Sequence, residues 1–170
     1  MSTIGFDTSN YTTSTAWTDG KTDINVRQIL YVKDGERGIR QSDGVFQHMK
    51  LMPVMYEKLS EQIDFKDVKA VGVSTRPRCV EGSYMPVFLA GEGYAKVVAN
   101  TLGVPLYEFS HQDGHIMAGI YSSGSFELLE NDFISVHLSG GTTEILKSRY
   151  NGFNFDNEII GGSKDISAGQ

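Results

Sequence analysis

Thr3-Ile-Gly-Phe-Asp-Thr-Ser-Asn-Tyr-Thr-Thr-Ser-Thr-Ala-Trp-Thr18 opens the chain with two strand-like runs joined by a polar turn. The runs 3–8 and 12–18 are rich in β-branched and aromatic residues, which favour strands. Ser9-Asn10-Tyr11 between them is short enough for a hairpin connection. A weaker strand-like run over 24–33 follows, so the sequence predicts three antiparallel strands at the start of the fold.

The rest of the chain alternates helical and strand-like patterns. Apolar residues at helical spacing, with Pro53 among them, predict a long helix that ends near Ile63. Gly103 is typical of the residue that follows a helix C-terminus. The order predicts an α/β fold with a mixed sheet flanked by helices. The predicted elements are a strand at 68–74, a helix at 84–102, a strand at 104–109, a helix at 111–122, a hairpin of 133–138 with 143–148, and a helix start after Gly162.

Length and composition limit the functions to consider. The 170 residues carry a formal net charge of −6, whereas nucleic-acid-binding surfaces are usually basic. We therefore expect no DNA binding, and RNA binding only through a partner. Cys79 is the single cysteine, so no internal disulfide can form. Without an apolar run of eighteen residues or a visible signal peptide, the sequence predicts a cytoplasmic protein with no membrane span.

Asp7, Thr8, Ser9 and Asn10 lie in the turn between the first two predicted strands. Backbone N–H groups and hydroxyls in such a turn can bind a phosphate, and an aspartate at a strand end can hold a metal ion or an attacking group. An ordinary β-turn, in which Asp and Asn cap their own backbone, explains the same residues. Both interpretations stay open on these residues alone.

Ser139, Gly140, Gly141 and Thr142 form a second loop of the same kind, followed by Thr143. Two glycines let the backbone approach a ligand closely, and the hydroxyls suit a phosphate or a metal-bound water. A plain glycine turn of a hairpin is the alternative. The occurrence of two such loops strengthens the phosphate interpretation of each, because paired loops of this type clamp phosphates in the actin/hexokinase/Hsp70 superfold.

His111 and His115 are four residues apart in a predicted helix and therefore share one helix face, where both imidazoles can bind one metal ion. His137, at the end of a predicted strand, is a candidate third ligand. Two surface histidines without a metal are the alternative. The motif is not that of the zincin peptidases, because Gln112 stands where those enzymes need a glutamate as general base.

Six motifs in order resemble the TsaD family, long named glycoprotease or O-sialoglycoprotein endopeptidase. Ile4-Gly-Phe-Asp-Thr-Ser-Asn10 is similar to the family's I-x-x-[DE]-T-S-[CN], and Gln47-His48 to its R-A-H segment. Ser110-His-Gln-Asp-Gly-His115 is similar to N-H-[ML]-E-[AG]-H. The remaining motifs are GEGYAKVVANTLGVPL over 91–106, Ser139-Gly-Gly-Thr-Thr143 and Ala168-Gly169-Gln170.

The resemblance implies a mixed-sheet, RNase-H-like lobe of the actin/hexokinase/Hsp70 (ASKHA) ATPase superfold. It places residues 1–170 in the N-terminal lobe and implies that a second lobe is missing from this chain. Family members transfer a threonylcarbamoyl group from its adenylate to an adenosine beside the tRNA anticodon. The implied ligands are one iron or zinc ion and ATP or an acyl-adenylate. By position, the resemblance assigns the metal to His111 and His115, and the phosphate region to Ser139, Gly140 and Gly141. His137 matches a position where some family members place a metal-binding tyrosine.

Several positions depart from the family pattern. Arg76-Pro77-Arg78 replaces a G-P-G turn, Thr142 replaces His or Asn, and Gln170 replaces an acidic residue. These departures indicate a divergent paralogue. The expected function is a metal-dependent TsaD-like transferase, inactive as the 170-residue chain alone. The alternatives are a non-catalytic paralogue that scaffolds or regulates such a transferase and, less favoured, a metallopeptidase. We expect protein partner subunits or self-association, with tRNA bound only through a complex.

Overall fold

The structure, a computed structural model, describes residues 1–36, 38–138 and 143–165. Its internal contacts divide the chain into two compact units. Unit 1 consists of Met1–Pro77 and Gly82–His111, and unit 2 consists of Arg78–Glu81 and Gln112–Gln170.

Unit 1 contains a five-stranded mixed sheet in the order β3-β2-β1-β4-β5. The first three strands are antiparallel neighbours, whereas β1 pairs with β4 and β4 with β5 in parallel. Because parallel strands end at the same edge of a sheet, the carboxyl ends of β1, β4 and β5 lie side by side. The elements are β1 (Ser2–Asp7), β2 (Thr12–Thr18), β3 (Asp23–Ile29), α1 (Gln41–Ser60), β4 (Val68–Arg76), α2 (Phe88–Leu102) and β5 (Leu106–Ser110), with a 3₁₀ turn at Phe65–Asp67.

The core of unit 1 forms where α1 and α2 pack on the sheet and on each other. Alternate residues of β1 and β4 point into this layer, as the twofold period of a strand requires. Met52 and Leu59 of α1 are fully buried against them, together with Ala95 of α2. The buried core residues are Ile4, Phe6, Met52, Leu59, Val68, Val71, Val73, Ala95 and Ala99.

Unit 2 is built on a three-stranded antiparallel sheet in the order β6-β7-β8. Ile116 and Ile120 of the preceding helix pack on Leu146 and Phe155 of this sheet. The side-chain oxygen Oδ1 of Asp113 also accepts a hydrogen bond from the backbone N–H of Phe155 at 3.3 Å. The elements are α3 (His111–Ser123), whose first residue counts with unit 1, β6 (Phe133–Leu138), β7 (Thr143–Tyr150) and β8 (Phe155–Gly162), with a 3₁₀ turn at Phe126–Glu130.

Most predicted elements are confirmed within a few residues of their ends, and α2 begins at Phe88, four residues after the predicted start. β3 ends at Ile29, four residues before the predicted strand does, and β8 occupies Phe155–Gly162, where no strand was predicted. Helix α1 runs through Pro53. Gly103 follows α2 with φ +67°, the left-handed conformation that closes a helix. The predicted C-terminal helix start concerns residues that lie mostly outside the described ranges.

Across the described ranges, no helix combines the length and the apolar composition needed to cross a membrane.

Thr8 ties the β1–β2 turn to the start of α2. Its side chain is fully buried, and its Oγ1 donates to the carbonyl of Val87 at 2.8 Å. The same Oγ1 accepts from the backbone N–H of Gly91 at 3.0 Å. A Cβ at position 91 would lie 2.8 Å from this oxygen, so the close approach requires glycine.

Gly91→Ala is expected to destabilise the protein by about 1–3 kcal/mol, because the added methyl group overpacks a buried hydrogen-bonded contact. Gly93 is the matched control on the same helix, since nothing lies within 4 Å of a Cβ built there. Gly93→Ala should stabilise the protein by about 0.5–1 kcal/mol through helix propensity. Urea denaturation of both variants checks the prediction, which fails if the two shifts have the same sign.

Candidate functional site

Asp7 ends β1 in unit 1, and His111 follows directly after the end of β5. The parallel pairing of β1, β4 and β5 places these two positions at one edge of the sheet. Asp7 Oδ2 lies 2.8 Å from His111 Nδ1, and both side chains are about a quarter exposed. The contact joins residues 104 positions apart in the chain. It holds the imidazole by one ring nitrogen, which is how carboxylates orient metal-binding histidines.

The environment of Asp7 favours its charged form. Burial alone would raise the pKa of this carboxyl, but hydrogen bonds from His111 and Ser74, the backbone N–H of Ser9 and the charge of His111 outweigh burial and lower the pKa to about 2. The Ser9 N–H donates to Asp7 Oδ1 at 2.8 Å. Asp7 is therefore an anion at neutral pH, with one oxygen toward the β1–β2 turn and the other toward His111.

The β1–β2 turn combines one buried side chain with two half-buried ones. Thr8 is buried and uses its hydroxyl for the contacts with Val87 and Gly91 described above. Ser9 and Asn10 are half-buried, and Asn10 Oδ1 accepts from Gln41 Nε2 at 3.4 Å. The assignment of this turn to a phosphate stays a prediction. Ser9 and Asn10 are its better-placed side chains, because Thr8 is already engaged.

His115 and His137 come together in unit 2. Their ring centroids are 5.5 Å apart, with His115 on α3 and His137 near the end of β6. Gln112 is 3% exposed, and its Nε2 lies 3.5 Å from His137 Nδ1. His111 and His115 are four residues apart in α3, the spacing that places two side chains on one helix face.

Imidazoles and a carboxylate are ligands that suit iron or zinc, so the residue types present fit the implied metal. Within residues 1–36, 38–138 and 143–165, no three His, Cys, Asp or Glu side chains are arranged to hold a metal ion. The structure brings the candidates together as pairs, Asp7 with His111 and His115 with His137. The second predicted phosphate loop, Ser139, Gly140, Gly141 and Thr142, lies outside the described residues.

Sequence reasoning missed Glu144, which pairs with His137 across β6 and β7. It is 9% exposed, and Arg78 Nη2 lies 2.7 Å from its Oε1. Its second oxygen, Oε2, is buried without a hydrogen-bond partner in the described part of the chain. Directly paired strand residues share one face of the sheet, so this carboxylate lies beside His137. Arg78, one of the departures from the family's G-P-G turn, was the sequence feature that indicated an acidic partner such as Glu144.

His48, to which the sequence assigned no function by itself, is fully buried in unit 1. Its Nδ1 lies 2.7 Å from Thr13 Oγ1, and its Nε2 has no hydrogen-bond partner among the described residues. Burial lowers the pKa of this imidazole to about 4, although the nearby charge of Asp7 acts in the opposite direction. His48 is therefore neutral at physiological pH.

Comparison with known proteins identifies the family. A family model described as TsaD, tRNA N6-adenosine threonylcarbamoyltransferase, matches residues 35–169. The chain belongs to the TsaD family. A tRNA N6-adenosine threonylcarbamoyltransferase of Christiangramia forsetii is 32% identical over 122 residues, which cover 71% of this TsaD-family chain and 33% of the relative. The enzyme of the same name from Pyrobaculum calidifontis is 28% identical over 144 residues, which cover 84% of this chain and 40% of that relative. The TsaD-family chain thus spans about a third of the length of the first of these relatives.

Solved structures confirm the predicted ASKHA-type fold. YeaZ from Pseudomonas aeruginosa superimposes with a TM-score of 0.54 at 11% identity, covering 96% of this TsaD-family chain and 66% of YeaZ. The ethanolamine utilization protein EutJ from Carboxydothermus hydrogenoformans gives a TM-score of 0.50 at 18% identity, covering 95% of this chain and 53% of EutJ. At these identities the similarity concerns the fold alone.

Proposed function

We propose that this TsaD-family chain acts in threonylcarbamoyl transfer to a tRNA adenosine and carries the histidine part of a metal-dependent active site. The observation that supports the proposal most is the hydrogen bond between Asp7 and His111. A charged carboxylate at the end of β1 holds the first histidine of the HxxxH motif by Nδ1. Nε2, on the far side of the ring from Asp7, is the proposed ligand atom.

The proposed metal ligands are His111 and His115 with His137, and the proposed ion is iron or zinc. When bound, the ion supplies Lewis acidity toward the carbamoyl carbonyl. Asp7 orients His111 and keeps it in one tautomer. The turn with Asp7, Thr8, Ser9 and Asn10 and the loop of Ser139, Gly140, Gly141 and Thr142 are the proposed contacts for ATP or an acyl-adenylate, chiefly through backbone N–H groups.

The proposed setting is a cytoplasmic complex. The formal net charge of −6 disfavours direct capture of tRNA, so a basic partner subunit supplies the phosphate contacts. Leu89 and Val97 of α2 are more than half exposed, as are several other apolar side chains. Such apolar surface supports association with a partner subunit or with a second copy.

A transfer assay tests the proposal. The chain is incubated with labelled threonylcarbamoyl-adenylate and tRNA. One reaction contains no other protein, and a second contains partner subunits from the same organism. We expect no transfer by the chain alone and measurable transfer in the complex, abolished by His111→Ala with His115→Ala. Transfer that survives the double substitution would contradict a role for these histidines. Complete inactivity of the reconstituted complex would instead favour the non-catalytic, scaffolding paralogue.

A further inference from the structure

Three polar side chains form a hydrogen-bonded row between α3 and the sheet of unit 2. Gln112 lies between His137 of β6 and Asn157 of β8. Its Nε2 is 3.5 Å from His137 Nδ1, and its Oε1 is 3.4 Å from Asn157 Nδ2. Three elements that are distant in the sequence therefore meet at one amide, which is 3% exposed.

Packing alone does not account for a glutamine at this position. Of the other α3 side chains that face the sheet of unit 2, Ile116 and Ile120 are apolar, whereas Asp113 accepts a hydrogen bond from the backbone of Phe155. A buried amide destabilises a fold unless it makes hydrogen bonds. The partners of Gln112 are the His137 ring and the Asn157 amide, so its polar groups act on those two residues.

We propose that Gln112, held by Asn157, is the positioning residue for His137. The inference rests on the proposed metal site, because it assigns His137 a ring orientation suited to a ligand. In the present arrangement the Gln112 amide donates to His137 Nδ1, and the Asn157 amide donates to Gln112 Oε1. The Gln112 amide thus contacts the imidazole on its Nδ1 side, and Asn157 orients that amide.

The same two amides can also hydrogen-bond to the tautomer of His137 that is protonated on Nδ1. A histidine that binds a metal through Nε2 carries its proton on Nδ1 and needs an acceptor there. The oxygen and nitrogen of an amide occupy nearly equivalent positions, so Gln112 and Asn157 can reverse together. After reversal Nδ1–H donates to Gln112 Oε1, and Gln112 Nε2 donates to Asn157 Oδ1. An apolar side chain at position 112 can make neither bond.

Zinc affinity of the 170-residue protein, measured against a competing chelator, gives the first test. Gln112→Leu removes both hydrogen bonds at similar size and should weaken zinc binding roughly ten- to a hundredfold. Gln112→Glu accepts from Nδ1–H and should restore the wild-type affinity. Gln62→Leu, an exchange at an exposed site in unit 1, is the matched control and should have no effect. Unchanged zinc affinity in Gln112→Leu would overturn the inference.

The second test needs no metal and remains decisive if the wild-type protein binds no zinc, which would contradict the proposed function alone. In protein with ¹⁵N-labelled histidine, we expect the Nδ1 resonance of His137 to shift and broaden in Gln112→Leu. Asn157→Ala should give a smaller change in the same direction. Ring spectra of His137 that are identical in wild type and Gln112→Leu would overturn the positioning role, whatever the zinc titration shows.

Discussion

Asp7→Asn is expected to weaken zinc binding roughly ten- to a hundredfold, the usual effect of losing a carboxylate that holds a metal-binding histidine. Asp7 accepts from the Ser9 N–H through one oxygen and contacts His111 Nδ1 through the other. Asparagine has one acceptor oxygen and one NH₂ group, so it cannot accept from both donors. The affinity loss is measured by chelator competition at pH 7.

Asp19→Asn provides the control for this substitution. Asp19 is another carboxylate of unit 1, in an exposed turn, where its Oδ1 accepts from the N–H groups of Lys21 and Thr22 at 2.8 Å. Its replacement removes the same charge without touching a histidine, so zinc affinity should not change. Equal zinc affinity of Asp7→Asn and wild type would contradict the role of Asp7 in orienting His111.

The second large effect concerns acid stability and His48. The pKa of this imidazole is about 4 in the folded protein against an ordinary value of 6.5, because the ring is buried. Between these pH values the unfolded chain takes up a proton that the folded chain does not. The contribution of His48 to the free energy of unfolding is therefore fully present above pH 6.5 and should fall by about 3 kcal/mol as the pH decreases to 4.

Urea denaturation from pH 4 to 8 in the presence of EDTA measures this dependence. His48→Gln removes the titrating group and should flatten the pH dependence over this window, although it lowers stability at pH 7 through the altered contact with Thr13. His115→Gln, at an exposed histidine, should leave the fall in place. A slope that is unchanged in His48→Gln would show that another group causes the acid destabilisation.

Local sequence signals predicted much of unit 1. The β-branched residues of β2, the apolar spacing of α1 and Gly103 after α2 each act within a few residues of the chain, so a single sequence shows them. β8 was not predicted. Its register with β7 shifts at Ile145/Leu146, and most of its side chains are exposed. The twofold apolar pattern of a half-buried strand is therefore weak there.

The candidate histidines were chosen from the sequence, whereas most of their contacts could not be predicted from it. Asp7 and His111 meet only because β1, β4 and β5 are parallel, an arrangement that no local pattern specifies. The contact of Gln112 with Asn157 depends on β8, the strand that the sequence did not predict. Glu144 lies beside His137 through the register of the β6–β7 hairpin. Such long-range pairings follow from topology rather than from spacing.

The metal content of protein purified without chelator tests the central claim most directly, measured for wild type and for His111→Ala with His115→Ala. We expect nearly one iron or zinc ion per wild-type chain and its loss in the double variant. A wild-type chain that is free of metal, or a double variant that retains it, would contradict the assignment of metal-dependent chemistry to the histidines of α3.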